Sequence, residues 1–168
     1  MAIEIRKALK DDAEELLHLM KILGNETDNL TFGEEGLPFT VDEEISYIEK
    51  INSSKKSAMF VALDSGKIVG TSSFYGHLVP RLSHRGEVSV AVIKSHWGMG
   101  IGYDLLSAAI EFGKTAADVE VISLDVRSDN DRAIKLYKRC GFEKIGTFKN
   151  FLRIEGKGID FDLMNLYL

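Results

Sequence analysis

Three glycines lie between a β-branched run and an apolar-periodic helix, and this order of elements creates a binding site for anions. Residues 88–93 are mostly apolar and β-branched, as in a buried strand. Gly98, Gly100 and Gly102 then form a turn at the start of a predicted helix. The first N–H groups of a helix have no intrahelical partner, and the helix dipole favours negative charge there. The pattern therefore predicts a site for a phosphate-bearing cofactor.

The glycine spacing argues against two common nucleotide sites. A P-loop needs a Lys followed by Ser or Thr after its last glycine, and no such pair follows these glycines. A Rossmann fingerprint needs its third glycine at the position of Tyr103. An oxidoreductase with a doubly wound sheet is further disfavoured, because the chain after Gly102 is too short for the second half of such a sheet.

Asn130 and Tyr137 are a second pair of groups with possible chemistry, seven residues apart on a predicted helix. Seven residues are about two helical turns, so both side chains share one face and lie about 10 Å apart at a rise of ~1.5 Å per residue. The alternative for Tyr137 is a core position, because Ala133, Tyr137 and Cys140 also form an inward stripe.

Hydrophobic periodicity predicts the elements that position these groups. Strands are expected over residues 2–6, 58–63, 67–78, 87–93, 119–126, 142–154 and 158–168. Helices are expected from Asp11 or Asp12 to the Gly24–Asn25 pair, over 40–51, from Gly102 to Gly113, and over 129–139. The fold class is α/β (an α+β mixed sheet). It has about seven mostly antiparallel strands, one parallel βαβ pair and four helices on both faces.

Local signals support several of these elements. Thr40 and Glu43 have the spacing of a capping box, and residues 64–66 (Asp-Ser-Gly) favour a hairpin turn. The first helix is expected to bury residues at helical spacing, namely Ala13, Leu16, Leu17, Met20 and Leu23. The second is expected to bury Ile45, Ile48 and Tyr47.

Two motifs in this order resemble those of the GNAT N-acetyltransferases. Residues 97–102 fit (Arg/Gln)-x-x-Gly-x-(Gly/Ala), with Trp97 in place of the first Arg or Gln, and residues 130–142 read Asn-x-x-Ala-x-x-Leu-Tyr-x-x-x-Gly-Phe. The resemblance extends over 3–168 in element order. The C-terminal segment 158–164 is also similar to the branch that acetylates small amino acids and protein N-termini.

The resemblance implies acetyl-CoA as co-substrate, no metal, and direct attack of an amine on the thioester. The cofactor-binding residues it implies are Val90, Val92, Ile93, Trp97, Gly98, Met99, Gly100, Ile101, Gly102, Asn130, Ala133 and Tyr137. It further implies that a backbone N–H near Val92 or Ile93 stabilises the oxyanion, and that Tyr137 protonates the leaving sulfur.

Glu87 is the candidate catalytic base, because several family members carry a glutamate at the start of this strand. His77 and His84 are competing bases, since histidine titrates near neutrality. His96 lies beside Trp97 and is a candidate phosphate contact, although a place in the turn is the simpler interpretation. Cys140 has no obvious base partner, so a buried structural role is expected.

The bulk composition bounds the remaining classes. The 168 residues are expected to form a single domain over 1–168, and a net charge of −5 argues against a nucleic-acid partner. No apolar run has the length of a membrane span, and one cysteine with no signal segment indicates a cytoplasmic protein.

The acceptor is expected to be a small-molecule or peptide amine: an amino acid, a small amine or a protein N-terminus. One hypothesis is that acidic residues steer a cationic acceptor, namely Glu26, Asp28, Glu34, Glu35, Asp42, Glu43 and Glu44; a solvated surface is the alternative. The final paired strands are a possible homodimer contact. The alternative function is a non-catalytic acyl-CoA-binding sensor.

Overall fold

A computed structural model of the protein describes residues 2–168. The strands are β1 Glu4–Lys7, β2 Ser57–Asp64, β3 Lys67–Gly76, β4 Arg85–Val92, β5 Val121–Arg127, β6 Glu143–Ile154 and β7 Lys157–Tyr167. The helices are α1 Ala13–Glu26, α2 Val41–Ser53, α3 Ile101–Thr115 and α4 Asp131–Arg139. Short 3-10 turns occupy Lys10–Asp12, Pro80–Leu82 and Lys94–His96.

The seven strands form one sheet in the order β1-β2-β3-β4-β5-β7-β6. Every neighbouring pair is antiparallel except β4 and β5, which are parallel and joined through α3. The predicted fold class is therefore confirmed. The parallel pair holds only three residue pairs, from Arg85↔Val121 to Glu87↔Ser123.

Helices cover both faces of the sheet. Leu106 and Ala109 of α3 pack with Phe74, Ile122 and the helix α4 on one face. On the other face α1 and α2 bury their apolar stripes against alternate residues of β2, which are Met59, Val61 and Leu63. Side chains alternate along a strand, so each strand of the centre contributes to both cores. Each fully buried leucine of this kind contributes about 1.5–3 kcal/mol.

The predicted capping box at the start of α2 and the predicted hairpin turn between β2 and β3 are both confirmed. The Thr40 hydroxyl accepts a hydrogen bond from the Glu43 N–H, and the Glu43 carboxylate accepts one from the Thr40 N–H. Ser65 and Gly66 connect β2 to β3 with φ values of 53° and 79°, the left-handed pair that a two-residue hairpin turn requires.

Several predicted boundaries and one core position were wrong. The strand β1 begins at Glu4, and α1 continues through the Gly24–Asn25 pair to Glu26. Gly24 lies within the helix because the backbone at Gly33 packs directly against it. A Cβ atom on residue 24 would lie only 1.8 Å from the Gly33 carbonyl oxygen, so only glycine fits there. Leu19, rather than Leu17, is fully buried.

Two further boundaries also differ from the prediction. The helix α3 continues past Gly113 to Thr115, because Gly113 packs closely against Phe74 within the core and does not end the helix. The helix α4 begins at Asp131, since Asn130 is its N-cap.

Candidate functional site

The parallel strands β4 and β5 separate after Glu87, and this separation leaves one edge of β4 without a strand partner. The N–H of Ile93 donates to the Val69 carbonyl on the β3 side. Successive N–H groups along a strand point to opposite edges, so the N–H of Val92 points toward β5. Of the two candidate oxyanion donors, Val92 is therefore the one whose N–H faces the gap.

The glycine turn follows directly at the end of this strand. Gly98 and Gly100 have φ values of 78° and 85°, and nothing lies within 4 Å of a Cβ built on either. The requirement for glycine is thus conformational, since other residues are strained at positive φ. Gly100 is the N-cap of α3, so the glycine turn leads directly into the N-terminus of this helix, where the first backbone N–H groups have no partner within the helix.

Trp97 anchors the turn instead of presenting a donor to a ligand. Its indole N–H donates to the Val92 carbonyl at 2.7 Å. The Arg132 guanidinium, from the first turn of α4, lies 4.4 Å from the Trp97 ring centroid, and the Lys94 ammonium lies 5.8 Å from it. A cationic side chain from α4 thus lies beside the position that the family motif gives to Arg or Gln.

A cavity of about 600 Å³ lies between the glycine turn, the free edge of β4 and α4. It brings together most of the sequence-predicted cofactor residues, namely Val90, Val92, Trp97, Gly98, Gly100, Ile101, Gly102, Asn130, Ala133 and Tyr137. Two others do not line it: Met99 is 58% exposed, and Ile93 packs against the hydrophobic core. The loop after α1 contributes Thr27, Asn29 and Leu30, which periodicity did not single out.

Asn130 and Tyr137 both line this cavity, but their surroundings differ. The Asn130 side-chain oxygen accepts from the Ala133 N–H at 3.3 Å and so caps α4. Tyr137 is 7% exposed and packs edge-to-face on Phe142. Burial raises the pKa of Tyr137 well above its usual range, and the negative charge of Asp125 adds to this shift. The phenol is therefore protonated at neutral pH.

Glu87 lies on the opposite face of the sheet from α3, at the point where the gap begins. Its carboxylate is 62% exposed and lies 3.7 Å from Nε2 of His77. Asp125 is two residues beyond Ser123, the parallel partner of Glu87, and projects from the same face. Partial desolvation raises the pKa of Asp125, and the charge of Glu87 raises it further.

Asp125 is a functional candidate that sequence reasoning missed. Ile122, Leu124 and Val126 belong to the core on the α3 face, so the intervening Ser123 and Asp125 face away from it. That alternation is visible in the sequence. Proximity to Glu87 and Tyr137 depends on the strand register, which the sequence does not contain.

The other titratable candidates have structural partners or are exposed. His96 is bonded through Nε2 to Asp64 at 3.2 Å and through Nδ1 to Ser95 at 2.8 Å, which ties the glycine turn to the β2–β3 hairpin. His84 is exposed in the turn before β4. Cys140 is half-buried after α4, and desolvation raises its pKa, which disfavours the reactive thiolate.

The acidic residues from the end of α1 to the first turn of α2 are not uniformly solvated. Glu26 accepts a hydrogen bond from the Lys94 N–H at 2.7 Å and so joins α1 to the turn before the glycines. Glu44 is 3% exposed, and its Oε2 atom has no hydrogen-bond partner among residues 2–168. Desolvation raises its pKa.

Residues 2–168 contain neither a cluster of metal-ligating side chains nor a membrane-spanning helix. No group of three or more His, Cys, Asp and Glu side chains in this range has the arrangement of a metal site. No helix in the same range is long and apolar enough to cross a membrane.

The mixed sheet, the gap between its two parallel strands and the glycine turn at the N-terminus of α3 beside this gap define the class of the fold. Over residues 25–142 the chain matches the family described as the acetyltransferase (GNAT) family. The protein belongs to this family.

Known structures and relatives agree with this assignment. A GNAT-family acetyltransferase from Streptococcus pneumoniae superposes with a TM-score of 0.96 at 30% identity, covering 99% of this chain and 100% of that one. The putative acetyltransferase yncA from Salmonella typhimurium, solved with acetyl-CoA, shares the fold with a TM-score of 0.86 at 22% identity, covering 99% of this chain and 94% of that one.

A relative known by sequence is an N-alpha-acetyltransferase from Sulfurisphaera tokodaii, 33% identical over 104 residues. The match covers 57% of this chain and 62% of that relative. The chain spans about three fifths of the length of the first curated relatives that it matches.

Proposed function

We propose that the protein transfers the acetyl group of acetyl-CoA to a primary amine. The observation that carries this proposal is the gap between β4 and β5, which has the glycine turn at one side, Tyr137 within it and two carboxylates at its mouth. Family membership supports acetyl-CoA as the co-substrate, as does the acetyl-CoA complex of the yncA protein, which has the same fold.

The residues of the cavity fit this co-substrate. The free N–H groups at the start of α3 would bind the pyrophosphate, with Arg132 held on the Trp97 ring as a further cation. The free edge of β4 would bind the amide groups of the pantetheine arm through Val90 and Val92, as a strand would. Acetyl-CoA supplies an activated thioester.

The carboxylates of Glu87 and Asp125, at the mouth of the gap, would bind the ammonium group of the acceptor. A primary amine is protonated at neutral pH, and only its neutral form is a nucleophile. Asp125, whose pKa is raised by desolvation and by the charge of Glu87, would accept the proton directly or through water, and Glu87 would add negative charge that attracts the ammonium. His77, whose Nε2 lies 3.7 Å from the Glu87 carboxylate, is the competing base.

In the transfer step the amine nitrogen would form a bond to the acetyl carbon while the carbon–sulfur bond breaks. The N–H of Val92 would stabilise the negative charge on the carbonyl oxygen, because it points into the gap without a strand partner. Tyr137 would donate its proton to the leaving sulfur. Of the two protons that the ammonium loses, the first would pass through the carboxylate to solvent, and the second, released as the carbon–nitrogen bond forms, would return through water to the Tyr137 phenolate, so that the products are the acetylated amine and the free CoA thiol.

Titration calorimetry with acetyl-CoA, and with NADH as the comparison ligand, tests the co-substrate. We expect micromolar binding of acetyl-CoA and none of NADH. A screen of primary amines by thiol release then tests transfer. Absence of acetyl-CoA binding would remove the basis of the proposal, whereas binding without thiol release for any amine would favour an acyl-CoA sensor.

A further inference from the structure

A chain of hydrogen bonds crosses three strands on the face that carries Glu87. The Arg85 guanidinium donates to the Ser123 hydroxyl at 3.2 Å. Ser123 donates to the Asn165 side-chain oxygen at 2.8 Å, and the Asn165 amide donates to the Tyr167 hydroxyl at 3.1 Å. Each group thus accepts from the one before it, so the direction of the chain is the same from β4 to β7.

This series of hydrogen bonds orients Arg85 but uses only one of its guanidinium nitrogens. A guanidinium has five N–H donors, and the one described bond, to Ser123, uses a single nitrogen. None of the ion pairs within residues 2–168 includes Arg85. Arg85 is half-buried, so it is partly enclosed by protein and partly open to solvent. The result is an oriented positive charge without a carboxylate partner.

The position of Arg85 relative to the two carboxylates is set by the strand. Arg85 and Glu87 are two residues apart on β4, so their side chains share one face at a spacing of about 7 Å. The gap opens on the far side of Glu87, toward Val92. Moving away from the gap, a bound acceptor would therefore meet Glu87 and Asp125 first and Arg85 second.

We propose that Arg85 binds the carboxylate of the acceptor and that the acceptors are free α-amino acids. This proposal rests on the proposed function. A free α-amino acid carries an ammonium next to a carboxylate, and the strand face presents the complementary order of charges, two carboxylates followed by a guanidinium. A guanidinium binds a carboxylate through two parallel hydrogen bonds, and the hydrogen bond to Ser123 preorganises it.

The proposal separates three classes of acceptor. An α-amide, like the N-terminus of a peptide, keeps the amine but replaces the carboxylate with a neutral carbonyl group. A decarboxylated amine leaves Arg85 with no partner. A polar site that loses its hydrogen-bonding partner discriminates strongly against the analogue that lacks it.

The test is kcat/KM, by thiol release at saturating acetyl-CoA, for matched acceptors that differ only at the carboxyl group. The probes are the twenty L-amino acids, their α-amides, and the decarboxylated amines, such as L-phenylalanine, L-phenylalaninamide and phenethylamine. For the preferred side chain, we expect the free amino acid to exceed the amide about 10- to 100-fold. Arg85→Gln is expected to remove this preference by lowering only the value for the free amino acid.

Arg81→Gln is the matched control, because Arg81 is exposed in the turn before β4 and the substitution removes the same charge. Its acid-to-amide ratio should equal that of the wild type. Arg85→Lys keeps the positive charge but loses the planar guanidinium that binds a carboxylate through two hydrogen bonds. It should therefore keep only part of the preference for the free amino acid over the amide. The ratio between acid and amide, compared across variants, cancels the different amine pKa values of the two acceptors.

Equal use of acid and amide by the wild type, or an equal loss for both in Arg85→Gln, would overturn the proposal while acetyl transfer itself stands. Transfer confined to amines without a carboxylate would overturn it as well. Failure of the wild type to bind acetyl-CoA is a different result, because it refutes the proposed function. If Arg85→Gln does not fold, the acid-to-amide ratio of the wild type and Arg85→Lys still decides the question.

Discussion

Replacing Tyr137 with Phe separates a catalytic role for this residue from a packing role. The substitution removes one oxygen and keeps the ring that packs on Phe142. Tyr137 lines the cavity and no described hydrogen bond involves its hydroxyl, so removal of the oxygen breaks no hydrogen bond within the protein. Tyr137→Phe should therefore leave the free energy of unfolding unchanged or raise it.

The substitution is expected to change the reaction rate much more than it changes stability. General acid catalysis contributes about 10²- to 10⁴-fold, which is about 3–5 kcal/mol of barrier. Tyr137→Phe should lower kcat by this factor and leave the Kd for acetyl-CoA within about twofold of the wild type. Because burial places the pKa of Tyr137 above its usual range, the wild-type rate should show no loss from phenol ionisation up to pH 10 or so.

Tyr103→Phe is the control, because Tyr103 lines the same cavity but is exposed and held by Arg139, 4.4 Å from its ring centroid. The two variants would be compared by single-turnover thiol release and by calorimetry with acetyl-CoA. A kcat within twofold of the wild type for Tyr137→Phe would show that Tyr137 is a core residue. Equal changes in kcat and in Kd would instead indicate that the hydroxyl positions the co-substrate.

Three further predictions concern the carboxylates, the glycine turn and the stability of the fold. Asp125→Asn should lower kcat/KM about 100-fold. It should also remove the acidic limb of the pH profile of kcat/KM, because in the wild type the Asp125 carboxyl must lose its proton as the pH rises through its raised pKa. Glu87→Gln should keep that limb. Gly100→Ala should weaken acetyl-CoA binding in calorimetry and lower the free energy of unfolding by about 1 kcal/mol, because φ is 85° there, while Gly146→Ala, which also has free space around the new methyl, should bind normally. Asp12→Asn should lower the free energy of unfolding by about 2 kcal/mol at pH 7 in urea titrations, because the carboxylate accepts two guanidinium bonds at 2.7 and 2.8 Å. The pKa of Asp12 is lowered by these bonds, so the stabilisation is present above the unfolded pKa of about 3.9 and should disappear as the pH falls through the lower folded value; a constant difference down to pH 2 would contradict this.

The regular part of the fold could be predicted because its signals are local. The capping box at Thr40 and Glu43 and the hairpin turn at Ser65–Gly66 act through backbone dihedral angles and hydrogen bonds within a few residues. The same holds for the parallel β4–β5 pair, since a strand, a helix and a strand in this order permit few connections. The ends of α1 and α3 were mispredicted because Gly24 and Gly113 are retained in helices by close packing with distant chain.

The candidate site was predictable on one face of the sheet and not on the other. The glycine turn and Tyr137 are marked by motifs, and both line the same cavity. Asp125 and Arg85 carry no motif, and their role depends on which residues lie opposite them. Arg132 beside Trp97 is a similar case, because two segments distant in sequence make that contact.

The sequence by itself thus determined the order of elements, the family and the glycine turn, since each depends on short-range dihedral preferences and residue spacing. Only the tertiary structure decided which strand edge is free and that the N–H of Val92 faces it. It also decided that Arg85, Glu87 and Asp125 share one face next to the gap. Strand register and separation arise from contacts between distant segments, and a one-residue change in register would move every side chain to the opposite face.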